Sequence, residues 1–384
     1  MKTLNTYITE LKGSASIHSM QKAQKMREEG IEVIDLAGGE PDFDTPKRIR
    51  EAAKKALDAG HTHYTVGKGI LPLRKKIAEK EQMENGILCT PDQVIVTPGG
   101  KYGIYMAIAS VVNPGDEVLI LAPYWVSYEP MVRACGGIPV IVSLKERENY
   151  KIEKQCIYDK ISDKTKLLII NYPNNPTGRI LHREEAEILK EIILETGIYV
   201  VSDEIYEKIV FDGEKSFCLA SIEEIKDYVI TVNGFSKCAA MTGWRIGYTI
   251  ASQAITDVMY KLFVHSITGI STFIQEAAVE VFSCSNEIET MCKIYEERRD
   301  YLVEEISKIP WISIQKPEGT FYLWLKAEVK MNSTEFSEYL LEQRHMIVVP
   351  GNAYGEEEGC YVRICFACEK ERLIKAIECL KSLF

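Results

Sequence analysis

The chain has 384 residues, 46% hydrophobic and 27% charged, with a formal net charge of −10 at pH 7. This composition is typical of an enzyme-sized globular protein, and the acidic balance argues against general affinity for nucleic acid or anionic membranes. No apolar run approaches membrane-spanning length, and the amino terminus lacks the apolar core of a secretory signal, so we expect a cytoplasmic protein with mostly reduced cysteines.

Apolar strands and helical segments alternate through the first part of the chain. Helical periodicity covers KYGIYMAIASVV and REEAEILKEIILETG. The segments that read as buried strands are VIVT (94–97), EVLIL (117–121), IPVIVSL (138–144), KLLIIN (166–171), IYVVS (198–202) and YVITVN (228–233). This alternation predicts an α/β fold with a mainly parallel sheet that is covered by helices on both faces.

The carboxyl-terminal part of the chain has a different pattern. A long amphipathic helix is predicted over IETMCKIYEERRDYLVEEISKI, followed by short strands near GTFYLWL and HMIVVPG. We therefore expect a large domain over residues 46–285 and a smaller α+β domain built from both chain ends, residues 1–45 and 286–384.

One CxxC pair, Cys365 and Cys368, is a candidate metal or redox motif. It lies in VRICFACE, which reads as a strand running into a loop, and neither a second CxxC nor a histidine pair accompanies it. The sequence therefore favours no metal site.

Glycine, aromatic and amide residues follow the ends of successive predicted strands, where ligands bind in open α/β sheets. Gly99 and Gly100 would let backbone N–H groups approach an anion at the start of the next helix. Trp125 offers a flat aromatic surface, and Asn175 in YPNNPTG offers an amide donor. Taken singly, a glycine pair is also typical of a turn, and a lone tryptophan of a protein core.

The stretch NGFSKCAAMTGWRIG places Lys237 and Arg245 after the strand YVITVN. A partly desolvated lysine has a lowered pKa and can attack a carbonyl carbon, and an arginine grips phosphate or carboxylate. Asp203 and Tyr206 follow the preceding strand and would share a face if a helix began there, although Asp203 could instead cap that helix. Because a buried aspartate can keep a pyridine nitrogen protonated, these four side chains are the parts that pyridoxal phosphate requires.

A series of motifs runs nearly end to end along the chain. They are LAGGEPDFDTP, HYTVGKGILPLR, VTPGGK, NPGDEVLILAPYWVSY, YPNNPTG, VSDEIY, NGFSKCAAMTGWRIGY, PEGTFYLW, VVPG and YVRICFA. Through them the chain resembles the pyridoxal-phosphate-dependent aminotransferases of fold type I, class I, and is similar to their bacterial aspartate (aspartate/prephenate) subgroup. The resemblance implies a mainly parallel seven-stranded sheet in a large domain, a smaller α+β domain, and a homodimer with shared active sites.

The resemblance also implies roles for the residues around the cofactor, pyridoxal 5′-phosphate. Lys237 would hold it covalently and act as the general base and acid. Asp203 would face the ring nitrogen, Tyr206 and Asn175 would bind the ring oxygen, and Trp125 would stack on the ring.

The phosphate of the cofactor would be bound by Gly100, by the backbone of Lys101, by Arg245 and by Tyr64 of the partner subunit. One position departs from many relatives, which carry a hydroxyl residue three positions before the lysine as a phosphate ligand. This chain has Gly234 there. The role of the nearby Ser236 is left unassigned.

The implied substrate-binding residues are Gly39, Trp125, Asn175, Arg363, Lys101, Lys12 and Ser16. Gly39 and Arg363 would receive the substrate α-carboxylate, for which arginine supplies a bidentate grip. The side chain of Lys101 would pair with the distal carboxylate of a dicarboxylic substrate. Lys12 and Ser16 would cover the substrate.

The expected activity is ping-pong transfer of an amino group between aspartate or glutamate and a 2-oxo acid, with prephenate as a further candidate acceptor. An aminotransferase for aromatic amino acids, alanine or a specialised biosynthetic amino acid would keep the same cofactor residues, and so would a lyase or cyclopropane-forming synthase. A ligand-sensing regulator would carry an appended DNA-binding domain, for which the segment before Leu36 leaves little room. A nicotinamide dehydrogenase would need a glycine fingerprint that GGKYG lacks.

Overall fold

The computed structural model describes residues 4–9, 15–355 and 358–383. Its α-helices are α1 (Thr6–Thr9), α2 (Ala15–Glu28), α3 (Lys47–Asp58), α4 (Leu71–Lys80), α5 (Gly100–Val111), α6 (Tyr128–Ala134), α7 (Lys154–Tyr158), α8 (Arg183–Thr196), α9 (Gln253–Ser266), α10 (Thr272–Val279), α11 (Ser285–Ile306), α12 (Ser333–Arg344) and α13 (Lys370–Lys381). Its β-strands are β1 (Ile34–Asp35), β2 (Val94–Thr97), β3 (Glu117–Ala122), β4 (Ile138–Ser143), β5 (Thr165–Asn171), β6 (Tyr199–Asp203), β7 (Val229–Gly234), β8 (Gly247–Ile250), β9 (Ile312–Ile314), β10 (Tyr322–Ala327), β11 (Met346–Ile347), β12 (Val349–Pro350) and β13 (Tyr361–Cys365).

The central sheet has seven strands in the order β2-β8-β7-β6-β5-β3-β4. Strands β3 to β7 pair in parallel, whereas β8 is antiparallel to both of its neighbours, β2 and β7. Strands β2 and β7 are buried at every position, as expected for strands covered on both faces. The predicted α/β fold with a mainly parallel seven-stranded sheet is confirmed, and β8 is the strand that the apolar pattern did not reveal.

The carboxyl-terminal part forms a second, antiparallel sheet of four strands in the order β12-β13-β10-β9. It packs with the 22-residue helix α11 and with α13 around a second cluster of buried apolar side chains, distinct from the larger cluster around the central sheet. The short strand β1 pairs with β11, which joins the two ends of the chain. We propose on this basis that the domains divide at residues 45/46 and 285/286.

The topology brings the polar ends of neighbouring strands to one edge of the sheet. Asn171 at the end of β5 is paired in register with Asp203 at the end of β6, and Asp203 is paired with Val232 in β7. Since these strands are parallel, the segments that follow them converge above that edge. The segment after β6 is a turn and not a helix, so a shared helix face does not explain the placement of Tyr206.

No helix in the described part of the chain is both long and apolar enough to cross a membrane. Cys365 ends β13 and Cys368 lies in the loop beyond it, and both are buried free thiols. Among the described residues, no group of histidine, cysteine, aspartate and glutamate side chains could hold a metal ion.

Candidate active site

A cavity of about 420 Å³ opens at the carboxyl ends of the central strands. Ten of the residues predicted from the sequence line it: Gly39, Gly100, Lys101, Trp125, Asn175, Asp203, Tyr206, Lys237, Arg245 and Arg363. Its volume suits a small-molecule ligand or cofactor. The residues come from distant parts of the chain, so the cavity exists only because the fold brings them together.

One end of the cavity is built to receive an anion. Helix α5 begins at Gly100, after Gly99 with φ +81°, so its free N–H groups lie at the cavity wall. The guanidinium of Arg245 lies directly over this turn, and a Cβ atom at Gly99 would be only 2.7 Å from its Nη2 atom. Arg245 itself has φ +55° and donates from Nη1 to the carbonyl of Thr242 at 2.8 Å. A non-glycine residue in this conformation is strained, so the surrounding contacts, including the bond to Thr242, must hold the cation in this position.

The carboxylate of Asp203 is buried at the centre of the cavity floor. It accepts a 2.6 Å hydrogen bond from the hydroxyl of Tyr128 and a 3.3 Å bond from the backbone N–H of Ile205. Burial raises the pKa of Asp203 to about 6, against the lowering effect of the Tyr128 hydrogen bond. The carboxylate is therefore ionised above this pH and available to a cationic partner.

Lys237 lines the same cavity as Asp203 and is partly buried. Its ammonium group donates to the carbonyl of Gly39, and it lies 5.9 Å from the ring centres of both Tyr206 and Phe321. Burial lowers the pKa of Lys237 to about 8, and the nearby charge of Arg363 acts in the same direction. A much larger fraction of this amine is therefore neutral near physiological pH than of an exposed lysine, while most of it is still protonated.

Arg363 is a buried cation with an unused donor. Its Nη2 atom donates to the carbonyls of Ala37 and Gly38 at 2.8 Å each, and its Nη1 atom donates to Oδ1 of Asn175 at 3.2 Å. Its Nε–H finds no acceptor among the described residues. A buried donor without an acceptor is costly, so this arginine is arranged for an acceptor that a ligand supplies.

Lys101 follows Gly100 in α5 and lies over the face of Trp125, with the Nζ atom 4.8 Å from the ring centre. Partial burial and the charge of Arg245 lower the pKa of Lys101. Within the described residues, no carboxylate pairs with this ammonium group. Trp125 is held by an edge contact with Tyr128 at 5.4 Å.

Two tyrosines that the sequence analysis did not single out support the cavity. Tyr128 in α6 binds Asp203, and Tyr322 in β10 places its hydroxyl 3.0 Å from that of Tyr206. Both belong to apolar, aromatic stretches, which are typical of a core, so the sequence offered no separate signal for them. Asn171 also lines the cavity and accepts from the backbone of Asn175 at 2.9 Å.

Of the remaining three predicted residues, one lies outside this cavity and two lie outside the described part of the chain. Tyr64 is 92% exposed and does not line the cavity of its own chain. Lys12 and the side chain of Ser16 lie outside the described residues. Ser236, whose role was left unassigned, does line the cavity.

Gly234 has a physical reason to lack a side chain. A Cβ atom there would lie 2.8 Å from the Cα atom of Gly247 in the neighbouring strand β8. The close approach of β7 and β8 therefore excludes the hydroxyl residue that many relatives carry at this position.

One cavity contains an anion cradle, a desolvated amine and two further cations, which suit the binding of small molecules that carry negative charge. The chain belongs to the aminotransferase class I and II family, whose sequence model matches residues 31–380. It is similar to the probable aspartate/prephenate aminotransferase of Aquifex aeolicus, with 38% identity over 99% of this chain and 98% of the relative.

The aspartate aminotransferase of Bacillus sp. strain YM-2 is also 38% identical, over 97% of this chain and 96% of its own. Among solved structures, the aspartate aminotransferase of Thermus thermophilus with maleate superposes with a TM-score of 0.95 at 35% identity, over the whole of both chains. The fold and the family agree, and the chain is an aminotransferase.

Proposed function

We propose that this aminotransferase uses pyridoxal 5′-phosphate to move an amino group between aspartate or glutamate and a 2-oxo acid. The observation that carries the proposal is that one cavity is lined by the amine of Lys237 and by two separate cations, Arg363 and Lys101. Two cations that share a cavity with an amine suit a substrate with two carboxylates. The proposal includes a reducing, cytoplasmic location, which the free cysteines support.

The residues present fit the proposed cofactor. Its phosphate suits the cradle of Gly99, Gly100 and Arg245, where a side chain on Gly99 would collide with the guanidinium. The buried carboxylate of Asp203 suits a protonated ring nitrogen, because it is otherwise a buried charge without a cationic partner within ion-pair distance among the described residues. Asn175 and Tyr206 line the same cavity and would bind the ring oxygen, and Trp125 would cover the ring face.

When it is bound, this cofactor supplies a carbonyl carbon that accepts the amino group and a ring that withdraws electrons. The protein supplies the remaining functions. Arg363 would bind the α-carboxylate, with a free Nε–H as one donor, and so orient the substrate Cα–H bond. Lys237 would hold the cofactor covalently at rest, and its freed amine would take the proton from Cα and deliver it to the cofactor carbon that carries the amino group.

The electrostatics of the cavity suit this proton transfer. A pKa of about 8 keeps the Lys237 amine able to accept a proton near neutral pH and to release it again. The carboxylate of Asp203, with a pKa of about 6, is ionised at the same pH. Asp203 would therefore stabilise positive charge on the ring nitrogen throughout the reaction.

Lys101 supports the choice of an acidic substrate. Its ammonium group lies at the cavity wall over Trp125 and has no carboxylate partner in the described chain. The relatives cited above are named for aspartate or for aspartate and prephenate, and one of the solved structures contains the dicarboxylate maleate. We therefore propose aspartate or glutamate as the amino donor for this chain, with prephenate as an additional acceptor.

The proposal includes a homodimer in which Tyr64 of the partner subunit completes the phosphate site. Tyr64 is almost fully exposed and is absent from the cavity of its own chain, and Val66 beside it is 58% exposed. Exposed apolar and aromatic groups of this kind are typical of an interface with another subunit.

A steady-state comparison of donors tests the proposed function. With 2-oxoglutarate as acceptor, we expect kcat/KM to be highest for L-aspartate, and with oxaloacetate as acceptor to be highest for L-glutamate. Alanine and phenylalanine serve as donors without a second carboxylate. A clear preference for either of them would refute the acidic-substrate proposal while leaving the aminotransferase class in place.

A further inference from the structure

We infer that Tyr322 is a positioning residue for both the cofactor and the substrate. Its hydroxyl orients the hydroxyl of Tyr206, and its ring supports the guanidinium of Arg363. This inference rests on the proposed function, in which Tyr206 faces the cofactor and Arg363 binds the substrate carboxylate. Tyr322 is 1% exposed and lines the cavity from β10.

The ring of Tyr322 lies under the substrate-binding arginine. The Cζ atom of Arg363 is 4.1 Å from the ring centre, which is closer than its 5.4 Å distance from the ring of Tyr354. A guanidinium over an aromatic face is attracted by the ring, most strongly where water is excluded. The two carbonyls of Ala37 and Gly38 hold Arg363 from another side, so the ring of Tyr322 completes its support.

The hydroxyl of Tyr322 lies 3.0 Å from that of Tyr206 and also packs on the loop at Gly39. A Cβ atom at Gly39 would be 3.0 Å from this hydroxyl, and the carbonyl of Gly39 accepts the bond from Lys237. Tyr322 therefore contacts the segment that holds the reactive amine as well as the phenol that faces the cofactor.

The direction of the hydroxyl bond follows from the number of protons. Tyr206 has one hydroxyl proton, and in the proposed function it donates that proton to the ring oxygen of the cofactor. The bond between the two tyrosines then requires Tyr322 as the donor and Tyr206 as the acceptor. A phenol that accepts a hydrogen bond is a stronger donor in turn, so the Tyr322 hydroxyl strengthens the bond that Tyr206 makes.

Two substitutions separate the two roles. Tyr322→Phe keeps the ring and removes the hydroxyl, whereas Tyr322→Leu removes both. Tyr354→Phe is the matched control, because it also removes a hydroxyl from a buried ring beside Arg363, but it has no contact with Tyr206 among the hydrogen bonds of the described chain. If Tyr322→Leu does not fold, Tyr322→Met replaces it.

The first measurement is a pH titration of the absorbance of the bound cofactor. A weaker donor at Tyr206 stabilises the anionic ring oxygen less, so the cofactor keeps its proton to higher pH. We expect Tyr322→Phe to raise the pKa of the bound cofactor by roughly 0.1 to 0.7 unit, since a neighbouring hydrogen bond strengthens the next by ~10–30%. The Tyr354→Phe control leaves it unchanged.

The second measurement is the dissociation constant of maleate, a dicarboxylate without an amino group. We expect Tyr322→Leu to raise it by roughly 2- to 30-fold, the range of a cation–π contact, and Tyr322→Phe to change it by less than about twofold. An unshifted titration in Tyr322→Phe, or equal maleate affinities in Tyr322→Leu and wild type, would overturn the inference. If the wild type shows no pH-dependent cofactor spectrum and no maleate binding, the proposed function itself fails.

Discussion

Replacing Lys101 by alanine tests how the cavity selects an acidic substrate. The substitution removes the ammonium group that lies 4.8 Å from the ring centre of Trp125 and leaves the backbone N–H at the start of α5 in place. A charge-assisted hydrogen bond contributes roughly 1.5 to 3 kcal/mol. Because the Lys101 side chain is partly exposed, solvent screening favours the lower end of that range. We therefore expect kcat/KM for L-aspartate to fall about tenfold, since about 1.4 kcal/mol corresponds to a factor of ten.

The assay compares L-aspartate and L-alanine as donors with the same acceptor and the same cofactor loading. Because alanine has no distal carboxylate, its kcat/KM should change by less than about threefold, which is below 1 kcal/mol. Lys166→Ala is the matched control, because Lys166 also lies over an aromatic ring, that of Tyr199, at 5.5 Å, but outside the cavity. An equal loss for aspartate and alanine in Lys101→Ala would refute the proposed contact.

Three further predictions concern the cofactor. Asp203→Asn should keep the bond from Tyr128 and bind the cofactor, yet lose about 10²- to 10³-fold in kcat, because it no longer stabilises the ring charge; near-normal turnover in a cofactor-loaded variant would count against this role. In cofactor-free protein, the rate of cofactor attachment, followed by stopped-flow absorbance, should rise with pH and level off above about 8, because the pKa of Lys237 lies there. A rate that continues to rise towards about pH 10 would contradict this prediction. Mixing inactive Tyr64→Ala and Lys237→Ala subunits should restore some activity through hybrid dimers; proven subunit exchange without recovery would argue against shared sites.

The residues at the strand ends were predictable because their signal is local. Asp203 and Lys237 each follow an apolar strand, and parallel strands place such positions at one edge of the sheet. Glycines in strand-to-helix turns carry a similar local signal, as Gly99 shows with its positive φ. The resemblance to a family added Arg363, whose own strand, β13, has no feature that marks it as a site.

The residues that sequence reasoning missed act through distant contacts. The hydroxyl bonds from Tyr128 to Asp203 and between Tyr206 and Tyr322 join positions far apart in the chain, so no spacing rule connects them. Strand β8 was missed for a related reason. It is short, and it follows the motif that the sequence analysis interpreted through Arg245. Its pairing with β2 and β7 is antiparallel in an otherwise parallel sheet.

The proposal also includes one role that a second subunit would supply. The prediction for Tyr64 came from resemblance alone, and in the structure its side chain is 92% exposed and does not line the cavity of its own chain. The subunit-mixing experiment therefore tests a part of the proposal that local structure leaves open.

A single half-reaction tests the central claim most directly. The cofactor-loaded protein is mixed with L-aspartate in the absence of any 2-oxo acid, and the cofactor and the products are identified after one turnover. The proposal predicts pyridoxamine phosphate and oxaloacetate in amounts equal to the sites, with no release of ammonia, and no such conversion in Lys237→Ala. Unchanged cofactor with wild-type protein, or ammonia release without pyridoxamine phosphate, would contradict it.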